Sequence, residues 1–199
     1  MTITLATNNA HKLEELTSIV QHELGDRVTI QTLAQAGIEI EIEETGTTLE
    51  ENALIKARAI HAITHGAVLA DDTGLEVAAL GGAPGVYSAR YAGEHASYMD
   101  NVNKLLGAMR DVASRDAMFR TVIAFIDVNG DEHLFSGEVL GTIASVPRGT
   151  AGFGYDPIFL PTEAKARTFA ELSAEEKNAI SHRGRALRAF TDFLQRREF

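Results

Sequence analysis

The sequence predicts an α/β protein, because apolar runs typical of strands and of helices follow one another along the chain. A β-type run at Thr2–Thr7 is followed, after a short polar turn, by apolar residues at helical spacing. The run Ala67–Ala70 reads as a buried strand and leads directly into Asp71 and Asp72. We therefore expect both carboxylates to point out of the carboxyl end of a strand, as a candidate metal site.

Composition narrows the class of protein. The 199 residues, 45% hydrophobic and 23% charged, suit one globular domain. The formal net charge of −10 argues against general nucleic-acid binding. No apolar stretch is long enough to span a bilayer, and Met1–Leu5 lacks the features of a signal peptide. Cysteine is absent, which excludes disulfides and thiol chemistry. We expect a cytoplasmic protein with no membrane or nucleic-acid partner.

The first helix is predicted behind the strand at Thr2–Thr7, where Leu13, Leu16 and Val20 repeat at helical spacing. Lys12 falls in its first turn, a place where cations are not otherwise favoured. A helix start binds anions through its free N–H groups, and a lysine adds a point charge for phosphate. Lys12 alone is a weak signal, because the phosphate-loop pattern GxxxxGK[ST] is absent from the chain.

An acidic segment precedes the second predicted helix. Val28–Leu33 reads as a strand, and the segment that follows contains Glu43 and Glu44. The sequence TLEE from Thr48 matches a capping box, so we expect a helix to start there. Lys56 then lies about two turns inside the helix, beyond the two glutamates.

A turn-rich loop and a third helix follow the two aspartates. The apolar run Leu75–Leu80 leads into Gly81–Gly85, where glycines and a proline predict a tight loop. Ser97 is expected to cap the next helix. The apolar side of that helix is predicted to comprise Met99, Val102, Leu105, Leu106 and Met109.

The second half of the chain begins with a predicted hairpin. Strands at Met118–Val128 and His133–Ile143 are joined by Asn129–Gly130, a strong turn signal. The segment Gly152–Pro157 then combines glycines, two aromatic residues and an acid, so its rings could stack on a base or fill a core. Ser173 is expected to cap the last helical region. The terminal helix is anchored by Leu187, Phe190 and Leu194.

Taken together, the charged residues favour a nucleotide enzyme. Carboxylates suited to a hard cation are Glu43, Glu44, Asp71 and Asp72, and cations suited to phosphate are Lys12, Lys56 and Arg90. Mg²⁺ prefers carboxylate and phosphate oxygens, which fits this combination. No HExxH or G-x-S-x-G pattern supports a zinc protease or a serine hydrolase. A glycosidase would use two carboxylates without needing the lysines.

Five motifs in order resemble those of the inosine triphosphate pyrophosphatase family, nearly end to end. They are TNNAHKLEEL, EETGTTLEENALIKA, LADDTGLEVAALGGAPGVYSARYAG, GTAGFGYDPIF and AELSAEEKNAISHRGRAL. Asn8 stands where many members have glycine. The resemblance implies an elongated mixed β-sheet with surrounding helices, and one domain over residues 1–199 whose two lobes flank a central cleft. It also implies a homodimer that uses Mg²⁺ to hydrolyse dITP, ITP and XTP to the nucleoside monophosphate and pyrophosphate.

The resemblance also implies a role for each matching residue. Triphosphate contacts are expected from Thr7, Asn9, Lys12 and Lys56, and further substrate contacts from Asn8, Ala10, His11 and Thr73. Glu43 and Asp72 are expected to bind the metal, with Glu44 and Asp71 as second choices, and Asp72 also to orient the attacking water. The base pocket is expected from Phe153, Gly154, Tyr155, Asp156, Lys177, His182 and Arg183, with Arg183 or an N–H near His182 facing the purine O6.

Two alternatives remain open at the level of sequence. A related Maf-like pyrophosphatase would act on modified pyrimidine nucleotides, but the Ser181–Arg183 motif argues against it. A nucleotide sensor without turnover would gain nothing from four neighbouring carboxylates, which repel one another.

Overall fold

The computed structural model describes residues 1–197, and its elements confirm the predicted α/β class. In chain order they are β1 (Thr2–Leu5), α1 (Ala10–Leu24), β2 (Thr29–Thr32), α2 (Leu49–Thr64), β3 (Ala67–Val77), β4 (Pro84–Gly85), α3 (Tyr98–Ala108), β5 (Asp116–Ile126), β6 (Glu132–Ile143), β7 (Phe159–Pro161), α4 (Ala174–Ile180) and α5 (His182–Gln195). None of the helices within residues 1–197 is both long and apolar enough to cross a membrane.

The chain forms two compact units. Unit 1 comprises Met1–Asp72, Thr121–Gly137 and the chain from Arg183 onward, and unit 2 comprises Thr73–Arg120 and Glu138–His182. Strands β3, β5 and β6 contribute residues to both units. Each unit has its own hydrophobic core.

Unit 1 is built on the strand order β2-β1-β3-β5-β6. Strand β1 pairs in parallel with β2 and with β3, as expected for strands connected through helices. Its core comprises apolar side chains of the sheet and of the helices that cover it, including Ile3, Leu5, Leu16, Val20, Leu69, Phe125, Leu187 and Phe190. The stripe predicted for α1 is therefore confirmed, although Leu13 is only partly buried.

The prediction that a strand ends at Asp71 and Asp72 is wrong. Strand β3 continues through both acids to Val77, so the predicted second run from Leu75 begins within the same strand. The parallel partner β1 pairs only as far as Leu5 with Leu69. The acids therefore lie where the neighbouring strand stops rather than where their own strand stops, and both side chains are buried.

Unit 2 is built around the other portions of the shared strands. Here β4 pairs antiparallel with β3, and β7 pairs antiparallel with β6. Its core contains Leu75, Val77, Val102, Leu105, Met109, Phe119, Phe159 and Phe169. The capping box at Ser97 is confirmed, but Met99 is wrongly assigned to the buried side of α3, since it is 46% exposed.

The remaining local predictions concern turns and caps. The hairpin turn at Asn129–Gly130 is confirmed, with Asp127 N–H bonded to Asp131 O at 3.0 Å. Ser173 caps α4 with a full capping box, as predicted. At α2 the Thr48 hydroxyl accepts from Glu51 N–H, but the Glu51 carboxylate accepts from Thr47 instead of closing the box. The helix therefore starts where predicted, but the Glu51 carboxylate has a different hydrogen-bond partner.

Candidate functional site

The segment Thr7–Lys12 forms the start of α1. Asn9 caps the helix, because its Oδ1 accepts from the N–H groups of His11 and Lys12 at 3.1 and 3.3 Å. The Thr7 hydroxyl in turn accepts from Asn9 N–H at 3.2 Å. Asn8, Ala10 and His11 are exposed, whereas Thr7, Asn9 and Lys12 are half-buried. Lys12 is the cationic side chain closest to the cap in sequence, and it turns inward.

Asp71 is the centre of a buried ion cluster in unit 1. Lys12 Nζ lies 3.1 Å from Asp71 Oδ2, and the guanidinium of Arg183 donates to the same oxygen at 3.2 and 3.3 Å. Burial by itself would raise the pKa of Asp71, but Lys12, Arg183 and Lys56 together hold that pKa well below its usual range. Asp71 therefore stays ionised and fixes two cations in place.

Burial and neighbouring cations disfavour the charged form of Lys12. The pKa of Lys12 is lowered, first because burial disfavours the ammonium and then because Lys56 and Arg183 repel it, although Asp71 opposes the shift. Negative charge arriving from a ligand would relieve this repulsion. Lys12 is therefore suited to contact an anion.

Lys56 joins two carboxylates of unit 1. Its ammonium donates to Glu44 Oε1 at 2.8 Å and to Asp72 Oδ1 at 3.0 Å. The pKa of Asp72 is raised, chiefly by burial and further by Glu44, against the opposing effect of Lys56. The second oxygen, Asp72 Oδ2, is buried and has no hydrogen-bond partner among the described residues. An unsatisfied buried acceptor of this kind suggests a ligand that is part of the working site.

The loop that carries Glu44 is held against α2. Gly46 N–H donates to Asn52 Oδ1 at 2.8 Å, and Asn52 lies one turn before Lys56. A Cβ at Gly46 would come within 2.6 Å of that oxygen, so only glycine lets the loop approach the helix so closely.

The residues fit a divalent cation of the kind that nucleotide enzymes use. Glu44 contacts Lys56, whereas Glu43, the ligand implied by the resemblance, is exposed. Within residues 1–197 no group of three or more His, Asp or Glu side chains is arranged to hold a metal ion. Mg²⁺ often takes only one or two carboxylates, with water and phosphate oxygens completing its octahedron. Asp72 and Glu44 supply that number of carboxylates, and the choice of Glu43 stays a prediction.

Arg183 has contacts that its predicted role did not include. Only 2% of the residue is exposed, and besides Asp71 its Nη1 donates to Glu15 on α1. Both partners lie in unit 1, and they bind all three guanidinium nitrogens. These contacts favour a positioning role for Arg183, and the purine-reading role implied by the resemblance stays a prediction.

In unit 2 the segment Gly152–Pro157, here called the glycine-rich loop, brings an aspartate, a lysine and an aromatic ring together. Asp156 Oδ2 accepts from Phe153 N–H at 2.8 Å and from Lys177 Nζ at 2.7 Å. The Lys177 ammonium also lies 4.9 Å from the centroid of the Phe153 ring, within cation–π range. Gly152 has φ +73°, and a Cβ there would be 2.1 Å from Asp156 Oδ2. The structure thus brings together three of the residues predicted for the base pocket.

The other residues predicted for that pocket have different surroundings. His182 is buried and stacks on Phe119, with ring centroids 4.5 Å apart. The Tyr155 ring lies in the core of unit 2, where its hydroxyl donates to Ser88 O at 2.9 Å. Burial raises the pKa of Tyr155, which keeps the phenol neutral. A ring held this way is structural, so Tyr155 is left with only its backbone for a ligand. Gly154 is half-buried in the loop. Thr73, which follows Asp72 in β3, is also half-buried.

Two residues of these clusters escaped the sequence analysis. Glu15, on α1, is half-buried and accepts from Arg183, 168 residues away in sequence. Tyr98 contacts Phe153 from the start of α3. Helical spacing offered a partial signal for Tyr98, since it lies four residues before the core residue Val102.

The site combines paired carboxylates with two lysines at the point where β1 stops beside β3. In an α/β protein, a site of this kind is suited to a phosphorylated ligand. A sequence model of the Ham1 family matches residues 3–193, and the chain belongs to that family. It is 51% identical over 190 residues to the dITP/XTP pyrophosphatase of Porphyromonas gingivalis, with 95% of each chain covered. It is 48% identical to the dITP/XTP pyrophosphatase of a Thermoanaerobacter species, covering 99% of this chain and 98% of the relative. Among solved structures, a HAM1 protein from Coxiella burnetii superposes with a TM-score of 0.89 at 42% identity, covering 99% of this chain and 100% of that one.

Proposed function

We propose that this chain hydrolyses dITP, ITP and XTP to the nucleoside monophosphate and pyrophosphate in a Mg²⁺-dependent reaction, which removes deaminated purines from the nucleotide pool. The class of enzyme, a nucleoside triphosphate pyrophosphatase, follows from near-full-length similarity to curated relatives. The observation that carries the reaction is the buried cluster in which Lys12 and Lys56 contact Asp71 and Asp72.

The two lysines are suited to the polyphosphate. Water attacking the α-phosphorus expels pyrophosphate, so negative charge builds up on the leaving group. Lys12 and Lys56 are preorganised by the adjacent aspartates and would neutralise that charge without reorganising. A phosphate oxygen beside Lys12 would stabilise its ammonium form, since burial and two neighbouring cations lower its pKa.

Asp72 is the residue we assign to the attacking water. Its buried Oδ2 is free of protein donors among residues 1–197, so it can accept from a water molecule. Mg²⁺, when bound, would neutralise phosphate oxygens, and Asp72 together with Glu44 or Glu43 would hold it. Asp71 holds Lys12 and Arg183 in place, which leaves Asp72 for the chemistry.

The base is proposed to bind at the glycine-rich loop of unit 2. Phe153 offers a ring for stacking, and Lys177 offers only donors. Hypoxanthine and xanthine present a keto oxygen at position 6, where adenine presents an amino group that a donor cannot match. A site built around such a hydrogen bond can reject the wrong base by roughly 10⁴.

Three further features belong to the same proposal. We propose that the enzyme is a homodimer, as the resemblance to its family implies, and that it is cytoplasmic. Residues 1–199 are proposed to form a single two-lobed domain. Neither a nucleic acid nor a membrane is proposed as a partner, in keeping with the net charge of −10.

A panel of nucleotides tests the proposal. Purified protein with Mg²⁺ is offered dITP, ITP, XTP, dATP, dGTP and a modified pyrimidine triphosphate, and released pyrophosphate is measured. We expect turnover of the three deaminated purines to exceed the others by orders of magnitude. Preference for the pyrimidine would favour a Maf-like enzyme, and tight binding without pyrophosphate release would indicate a sensor.

Asp72→Asn is the matched variant for this assay, because it keeps the shape of the side chain and removes its charge. We expect it to fold normally and to lose most turnover, since the amide is a poor metal ligand and a poor base. Retention of more than about a tenth of kcat, a loss below roughly 1.4 kcal/mol, would contradict the role given to Asp72.

A further inference from the structure

Tyr98 lies on unit 2 beside the proposed base-binding loop, and the proposed reaction assigns it no role. Its ring centroid is 5.9 Å from that of Phe153, with the two planes inclined at 48°. Aromatic rings attract each other at this separation when they are tilted rather than stacked face to face. Tyr98 is 42% exposed and is not part of the core of unit 2.

The start of α3 is fixed firmly enough to present Tyr98 in one place. Ser97, directly before Tyr98, and Asp100, two residues after it, form a complete capping box. Asn101, which is 2% exposed, accepts from Ala92 N–H at 2.7 Å and donates to Ala89 O at 3.0 Å. Tyr98 also continues the stripe that includes the core residue Val102, which sets the direction of its side chain.

The backbone of Phe153 is fixed by its loop, and its ring is contacted by side chains from other elements. Phe153 N–H is held by the Asp156 carboxylate, and Gly152 before it has a positive φ. The ring itself is half-buried and is contacted by the Lys177 ammonium at 4.9 Å from its centroid. Tyr98 adds an aromatic contact from a rigid helix start.

We propose that Tyr98 is a positioning residue that holds the Phe153 ring in the orientation needed to stack on the purine. The inference rests on the proposed function, because it deepens the account of the base pocket. Preorganising a stacking surface improves binding by removing the need to order it when the ligand arrives. Tyr98 thus contributes to affinity for the base and has no part in the chemistry at the phosphates.

Three variants test this role. Tyr98→Ala removes the ring, Tyr98→Phe keeps it, and Met99→Ala shortens the adjacent exposed side chain of the same helix. We measure KM and kcat for ITP, and in parallel the affinities for inosine monophosphate and for pyrophosphate. Tyr98→Ala should raise KM and weaken the monophosphate by about two- to tenfold, as expected for one aromatic contact, and change kcat and pyrophosphate affinity by less than about twofold. Tyr98→Phe and Met99→Ala should match the parent.

Specific results would overturn the inference. If Tyr98→Ala has the same KM and monophosphate affinity as Met99→Ala while the parent hydrolyses ITP normally, Tyr98 has no positioning role. The proposed function would still stand. An equal loss of pyrophosphate affinity, or failure of Tyr98→Phe to restore KM, would show that the ring does not act through base stacking. A parent that neither hydrolyses ITP nor binds inosine monophosphate would overturn the proposed function and this inference with it.

Discussion

The charge of Lys12 is disfavoured by burial and pulled in opposite directions by its neighbours. Lys12 is paired with Asp71 at 3.1 Å yet repelled by Lys56 and Arg183. Each of the three cations has a carboxylate partner, so the cluster as a whole does not lack negative charge. Lys12 is nonetheless half-buried and repelled by two cations, and a phosphate oxygen beside it would stabilise its ammonium form, which is the physical reason to place a polyphosphate here.

Lys12→Ala should therefore weaken triphosphate hydrolysis without unfolding the protein, since Asp71 keeps Arg183 as a partner. A charged hydrogen bond is worth about 1.5–3 kcal/mol, which corresponds to roughly a ten- to hundredfold fall in kcat/KM for ITP. Lys165→Ala, at an exposed lysine of unit 2, serves as the control. Equal kinetics for the two variants would make Lys12 an ordinary structural lysine.

Arg183→Ala separates the two roles considered for this arginine. If it positions Asp71, the loss of kcat/KM should be similar for ITP and for the residual rate on ATP, and this is the result we expect from its contacts. Removing one partner of a buried ion pair should also destabilise the fold by about 3–5 kcal/mol, measured by denaturant unfolding. Glu15→Gln, which weakens only one contact, should show a smaller version of both effects. A selective loss on ITP would instead support purine reading.

Local sequence predicted the first part of strand β3 but not its continuation beyond the two aspartates. The apolar run Ala67–Ala70 correctly predicted a buried strand. The acids appeared to end it because charged residues are rarely buried in a strand. What keeps them inside is the set of partners Lys12, Lys56 and Arg183, and these come from other parts of the chain. The continuation of β3 to Val77 therefore depended on long-range ion pairs that no local pattern reveals.

The candidate site divides in the same way. Lys12, Lys56, Asp71 and Asp72 could be named from residue type and motif, and the structure brings them together. The contact between Arg183 and Glu15 could not, because 168 residues separate them. Tyr98 was missed because its helical spacing to Val102 is only a partial signal and its side chain is exposed at a helix start.

The glycine-rich loop permits a matched test at the level of an element. Gly152 and Gly154 both have a positive φ, but only at Gly152 would a Cβ collide with Asp156. Alanine at either position pays a conformational cost of about 1 kcal/mol. Gly152→Ala should in addition displace the carboxylate that holds Phe153 and Lys177, and so raise KM for ITP well above the value for Gly154→Ala. Matching KM values would mean that this carboxylate does not organise the base pocket.

At the scale of the whole molecule, an acidic chain is proposed to bind a highly charged anion. The net charge of −10 would repel a triphosphate at long range, so attraction has to come from cations gathered at one place. Lys12, Lys56 and Arg183 are gathered around Asp71 in unit 1, while the loop with Lys177 lies in unit 2. The proposed function assigns the phosphates to these cations and the base to this loop, with water attacking the α-phosphorus.

The most direct test is to follow the oxygen of the attacking water. ITP is hydrolysed in water enriched in oxygen-18, and both products are analysed by mass spectrometry. Attack at the α-phosphorus predicts one labelled oxygen in inosine monophosphate and none in pyrophosphate. Label in pyrophosphate, or inosine diphosphate and phosphate as the products, would contradict the account.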